Sequence, residues 1–172
     1  MRRLIGVLIL VLLFTARGRI VLSNPAETEM ECREIEATQT VTADLSTFTT
    51  RGRIRGDLRG TTQFTGDSTS LVPVSGTFSP PLNPTLVYTG DLVITTNKGT
   101  LTTRGVGVFE NVPFGSGSQF DRVIAGTGRF RDATGILHFS FRANGDLSGF
   151  TSSVTGTLCL KEAADNDGFL PD

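Results

Sequence analysis

From Thr28 onward the chain shows no helical periodicity; runs of Thr, Val, Leu, Ile and Phe alternate with polar residues and are interrupted by Gly, Pro and Asn. A two-residue repeat turns successive side chains to opposite sides of a strand, so such runs form sheets with one dry and one wet face. The stretch Arg51–Phe64 puts Ile54, Leu58 and Phe64 in one phase and Arg51, Arg53, Arg55, Asp57 and Arg59 in the other. Gly52, Gly56 and Gly60 share the dry phase, where missing side chains let a strand bend sharply, as a closing barrel requires. The expected architecture is one all-β domain over residues 28–161, a small antiparallel β-barrel of about eight strands. A length of 172 residues suits one ordinary domain, and 38% hydrophobic against 19% charged residues supplies a core and excludes disorder as a description of the whole.

Further strands are expected over Leu86–Thr96, Thr100–Glu110, Gln119–Ala125, Gly135–Arg142 and Leu147–Leu160. Asn97-Lys98-Gly99 and Asn144-Gly145 are hairpin connections, which makes the neighbours antiparallel. Asn111–Ser118 reads as a loop. Residues 66–84 carry Pro73, Pro80, Pro81 and Pro84, each unable to donate to a ladder, so most of this stretch reads as a long loop with a short edge strand at Leu71–Val74. Residues 162–172 form an acidic, flexible tail; its Asp165-Asn166-Asp167-Gly168 lacks the alternate spacing and closing Glu of a calcium loop.

Met1-Arg2-Arg3 precedes the apolar run Leu4–Phe14, the layout of a secretory signal and too short for a helix that crosses a bilayer. Residues 1–27 are therefore read as an apolar amino-terminal helix acting as signal peptide or membrane anchor, with Val21-Leu22-Ser23 as the first acceptable cleavage site. A misassigned start or a buried amino-terminal helix are the other readings. Cleavage would place the protein outside the cell or in the periplasm or envelope, and an uncleaved segment would tie it to a membrane. Loss of Arg2, Arg3, Arg17 and Arg19 would leave twelve basic against seventeen acidic residues. A net charge of -1 for the whole chain already lacks the attraction that non-specific nucleic-acid binding needs. With no Trp, one Tyr, one His and only Lys98 and Lys161 as amines, His-based catalysis, metal centres and Schiff-base chemistry have little material, and no cofactor is implied.

The most distinctive stretch is Ile124–Leu137, which carries a Gly-x-Gly-x-Phe-x-x-Ala-x-Gly pattern at Gly126, Gly128, Phe130, Ala133 and Gly135. It resembles the allene oxide cyclase-like and dirigent-like β-barrels, especially small exported bacterial members of unknown role. The Gly-rich run Arg51–Gly66, the turn and strand at Asn97–Leu101 and the ending Gly149–Leu160 extend the likeness over about Met30–Leu160. The resemblance implies an apolar lumen, and some members cyclise or guide reactive hydrophobic intermediates; their catalytic residues match no particular position here. Physically, Gly126 and Gly128 permit a turn or close packing, Phe130 can plug one barrel end, and Asp132 can form an Asx-turn before Ala133 and Gly135. A phosphate cradle needs a following helix, and none is expected.

Tyr88 lies in phase with Leu86, Leu92 and Ile94 on the expected inner face, and with Ile54 and Phe64 these residues are the candidate contacts for an apolar ligand. The Tyr88 phenol could orient a ligand carbonyl or act as a weak acid; the plainer alternative is a core ring whose hydroxyl meets a backbone partner. His138 alternates out of phase with Leu137, Phe139 and Phe141 and is expected outside, as is the Arg51, Arg53, Arg55 and Arg59 face. Asp57, Asp91, Glu110 and Asp121 lie on different strands at separations the sequence does not give, so no carboxylate pair is assigned. Three functions remain: an exported barrel that binds an apolar small molecule or interacts at the envelope, a cyclase or isomerase working in the lumen, and a filled structural or adhesion module.

The two cysteines, Cys32 and Cys159, fall in the first and last expected strands, which become neighbours when an up-and-down barrel closes. Ile35, Ala37 and Val41 occupy the phase opposite Cys32, and Phe150, Val154, Leu158 and Leu160 the phase opposite Cys159. Both thiols then point outward, and export supplies an oxidising compartment, so a Cys32–Cys159 disulfide is expected.

Overall fold

A computed structural model describes residues 30–44, 46–67, 72–74, 85–110, 115–145 and 148–161. The expected signal or anchor at 1–27 and the expected tail at 162–172 lie outside these residues. Nine strands follow in order: β1 (Met30–Asp44), β2 (Thr49–Gly56), β3 (Gly60–Gly66), β4 (Val72–Val74), β5 (Thr85–Thr96), β6 (Gly99–Phe109), β7 (Ser116–Gly126), β8 (Thr134–Ala143) and β9 (Gly149–Lys161). Each is antiparallel to its neighbours, and pairing of β1 with β9 and of β3 with β5 closes an eight-strand barrel. β4 continues the path of β3 along the same edge of β5, with Val72 opposite Val87 and Val74 opposite Thr85.

The stretch Arg51–Phe64 is not one bent strand but two strands joined by a tight turn, with Ile54 opposite Gly60. The Asp57 carboxylate accepts the Glu36 backbone N–H at 2.8 Å while the Asp57 N–H donates to the Glu36 carbonyl at 3.0 Å, tying the turn to β1. Leu58, inside the turn, is buried, so the alternation continues through the reversal and disguises it. β7 also begins earlier than its hydrophobic signal, because Gly117 and Ser118 pair with Phe141 and Ser140.

Ile54, Ile94, Leu101, Leu137, Val154 and Leu158 are almost wholly buried and fill the half of the barrel where β2, β5 and β9 end and β6 and β8 begin. Phe130, from a single 3-10 turn at Gly128–Phe130, is buried against this cluster. The glycine pattern has a steric basis here. Gly128 sits at φ +58, and a Cβ on Gly126 would lie 1.9 Å from the Phe130 carbonyl oxygen. Asp132 also has positive φ, and its carboxylate accepts from Lys161 Nζ at 2.7 Å. That contact draws it below the ordinary carboxylate range and replaces the expected Asx-turn as its side-chain bond.

Cys32 and Cys159 are directly opposed in the β1–β9 ladder and form a disulfide on the outer wall, with Cα atoms 3.9 Å apart. Such a bond is consistent with an oxidising environment. The outer wall also carries apolar side chains on β6, β7 and β8. Phe120 is 56% and Ile136 58% exposed, and Phe120 stacks on His138 with ring centroids 4.4 Å apart. His138 is thus an outer-wall residue, as are Arg51, Arg53, Arg55 and Arg59.

Candidate functional site

The other half of the barrel is not filled by aliphatic side chains. Gln39, Val41, Phe48, Phe64, Tyr88, Leu92, Phe109, Gln119, Phe139, Phe141, Phe150 and Ser152 line a cavity there, bordered by Ala43, Asp44, Thr49 and Thr50. The centre of a water-sized sphere can range over about 80 Å³ inside it. That is several times the roughly 10–15 Å³ needed to hold one water, so the space admits a small organic molecule.

Seven aromatic rings line the wall, and all but Phe139 meet in two groups of three. Phe48, Phe64 and Tyr88 meet edge to face with centroids 5.5 to 6.1 Å apart, and Phe109, Phe141 and Phe150 meet likewise at 5.3 to 5.6 Å. These are favourable geometries for the ring quadrupoles and hold the rings upright, rather than collapsed into the lumen.

Small residues on the inner face of β6 decide what the opposite strands can present. Tyr88 on β5 faces Gly107 on β6, which in turn faces Gln119 on β7. With no side chain at 107, the Tyr88 ring lies across the strand and its hydroxyl donates to Gln119 Oε1 at 3.0 Å. A Cβ at 107 would sit 2.3 Å from the ring carbon bearing that hydroxyl. One rung along, Gly105 faces Asp121, whose carboxylate occupies the room a Cβ at 105 would take. Gln119 Nε2 donates to Asp121 Oδ1 at 2.7 Å, and the Thr103 hydroxyl donates to Asp121 Oδ2. Tyr88, Gln119, Asp121 and Thr103 therefore form one connected polar chain, reaching the cavity through Tyr88 and Gln119 while Asp121 and Thr103 stay wholly buried behind.

Burial holds the Asp121 carboxyl above its ordinary value, with the Thr103 and Gln119 hydrogen bonds pulling the other way. Burial likewise raises the Tyr88 phenol well above its ordinary value, reinforced by the Asp121 charge. A phenol so placed stays protonated near neutral pH and serves as a hydrogen-bonding handle, not as an acid. A second polar patch lies on the β1–β9 side, where Gln39 and Ser152 are directly opposed and Gln39 Nε2 donates to Thr62 Oγ1 at 3.0 Å.

Of the candidate contacts, the structure brings Tyr88, Leu92 and Phe64 together on the cavity wall. Ile54 and Ile94 point inward but lie in the packed half, and Leu86 is only partly buried and off the wall. The hydroxyl of Tyr88 meets a side chain instead of the backbone. Sequence reasoning missed Gln39, Gln119 and Ser152 and gave Asp121 no role; all four are polar and buried on the inner face. Among the named carboxylates, Asp91 is on the outer wall paired with Arg104 at 3.0 Å, so it and Asp121 do not form a catalytic pair. Among the described residues no three His, Cys, Asp or Glu side chains converge as a metal site would require.

No family model and no curated protein matches the chain. A solved structure that matches is that of a dirigent protein described as a pterocarpan synthase, at 13% identity over 78% of this chain and 89% of that one, with a TM-score of 0.32.

Proposed function

We propose that the protein is an exported barrel that binds a small, mostly apolar molecule in the ring-lined half of its lumen. The observation that carries this reading is a wall of aromatic and aliphatic side chains interrupted by the Tyr88–Gln119 pair, an apolar pocket with a few polar groups that set orientation. A structural or adhesion module would have no use for an unfilled interior backed by a buried polar chain. A cyclase or isomerase could work by shape and proximity with little acid–base machinery, and neither buried inner-wall titratable group adds any. Tyr88 holds its proton tightly, and Asp121 does not reach the lumen surface. Binding without chemistry is therefore the reading adopted. The disulfide and the apolar amino-terminal run support export.

The test is native mass spectrometry of protein extracted from the producing cell's envelope or medium. A co-purifying lipid or isoprenoid, lost on Tyr88→Ala or on filling the cavity with Val41→Phe, is the expected result. Protein that carries no ligand and takes up no apolar probe would overturn the proposal, and turnover of the bound molecule would transfer it to the enzyme class.

A further inference from the structure

We infer that Asp121, acting through Gln119, sets the direction of the hydrogen bond that Tyr88 presents to the cavity, so that the molecule bound there carries a hydrogen-bond donor, such as a hydroxyl, on its apolar body. The inference deepens the proposed function and rests on it. Asp121 touches no ligand; it is a positioning residue.

The argument follows the protons. Both Asp121 oxygens have partners, the Thr103 hydroxyl and Gln119 Nε2, and an ionised carboxylate, which can only accept, takes a proton from each. The amide of Gln119 must then turn its NH2 toward Asp121 and its carbonyl oxygen toward Tyr88. The Tyr88 hydroxyl has one proton and donates it to that oxygen. What the phenol has left for the lumen is lone-pair density. A ligand hydroxyl or N–H can use it; a ketone brings a second acceptor and finds no donor at Tyr88. Were the carboxyl neutral, it could donate to Gln119, the amide would turn over, and the Tyr88 proton would be free for a carbonyl. Asp121 and Tyr88 are the buried ionisable groups on the inner faces of the described strands; Glu31 and Arg33 share that phase on β1 but pair with each other at the exposed far end, and Asp44 at the cavity border is held by Ser46. Asp91 on β5, Arg104 on β6, Arg122 on β7 and His138 on β8 all face outward from the strands around them. The direction of the chain therefore has one controlling group.

The experiment compares cyclohexanol with cyclohexanone, probes of nearly equal shape, binding to the disulfide-bonded protein, with Tyr88→Phe as the reference that lacks the handle. Relative to that reference, the wild type should favour the alcohol by about five- to tenfold, the worth of one net hydrogen bond. Asp121→Asn carries one donor and one acceptor and no longer dictates the amide's direction, so its preference should fall toward that of Tyr88→Phe. Gln119→Met, which frees the Tyr88 proton while keeping the Asp121 side chain, though without its Gln119 donor, should shift the preference to the ketone and gives a second, independent readout. A mere loss of packing would weaken both probes together. If both probes bind the wild type with the Tyr88→Phe ratio, or Asp121→Asn keeps the full alcohol preference, the inference is wrong while the cavity reading stands. If neither probe binds, the cavity reading fails and takes the inference with it.

Discussion

Asp121 is where a single side chain sets both stability and site chemistry. Folding raises its carboxyl above the ordinary value of 3.8, chiefly by burial. The native state therefore keeps the proton at pH values where the unfolded chain has released it. Its contribution to stability is complete below the unfolded value and is lost as pH rises through the higher native one. Asp121→Asn removes that loss, so at pH 7 the variant should be at least as stable as the wild type, and the difference should close as acid protonates Asp121. Urea melts of both proteins across pH 3 to 8 check the sign, and a variant gap that widened in acid would contradict it. Gly107 is the second such residue. Gly107→Ala places a methyl group against the Tyr88 ring, and overpacking of this kind costs about 1–3 kcal/mol. Denaturation midpoints should drop accordingly, and binding of apolar probes should weaken with them, because the ring can move only into the cavity.

At the scale of the element, β7 departs most from a simple reading of its pattern. Its two bulkiest apolar residues, Phe120 and Ile124, face solvent, while Gln119 and Asp121 face the lumen beside the smaller Val123. Hydrophobicity along β7 thus points the wrong way, and the phase is imposed by neighbours: Leu101 and Phe109 on β6 and Leu137 and Phe139 on β8 point inward, and pairing carries their phase across. A register shift between Thr102 and Thr103 leaves Ile124 out of the ladder and ends the alternation there. The β1–β9 pair, in contrast, is stapled. Its disulfide spans 127 residues of sequence, and replacing Cys32 and Cys159 by Ser should cost about 2–5 kcal/mol of stability. Chemical denaturation of the double variant against the oxidised wild type reads this directly; stability unchanged would show that the ladder alone holds the seam.

For the whole molecule, the barrel is asymmetric along its axis, packed with branched aliphatic side chains in one half and lined by rings around a space in the other. The packed half supplies rigidity, so the cavity wall can hold upright rings and a buried polar chain without collapsing. Export belongs to this scale as well. If Arg2-Arg3 and Leu4–Phe14 form a cleaved signal, protein recovered from envelope or medium should begin near Asn24. Edman or mass-spectrometric sequencing of the mature amino terminus checks it: only full-length cytosolic protein would defeat export, and an intact chain in the membrane fraction would select the anchor.

Fold class, the antiparallel succession of most strands and the Cys32–Cys159 bond were legible in the sequence, because they rest on alternation, turn residues and the closure that an up-and-down barrel imposes on its end strands. Alternation of two, hairpin residues at Asn97–Gly99 and Asn144-Gly145, and the phase of one cysteine in each terminal strand are written along the chain itself. The tertiary structure alone decided that Arg51–Phe64 turns back on itself, since Leu58 points inward from within the turn. It also separated Tyr88, Leu92 and Phe64 on the cavity wall from Ile54 and Ile94 in the packed half, although all five share an inward phase. Phase tells which way a side chain points and says nothing of its height along the barrel axis. The buried chain from Tyr88 to Asp121 depends on register across three strands, with Gly107 and Gly105 falling opposite the two side chains that need their space, and no single strand contains that information.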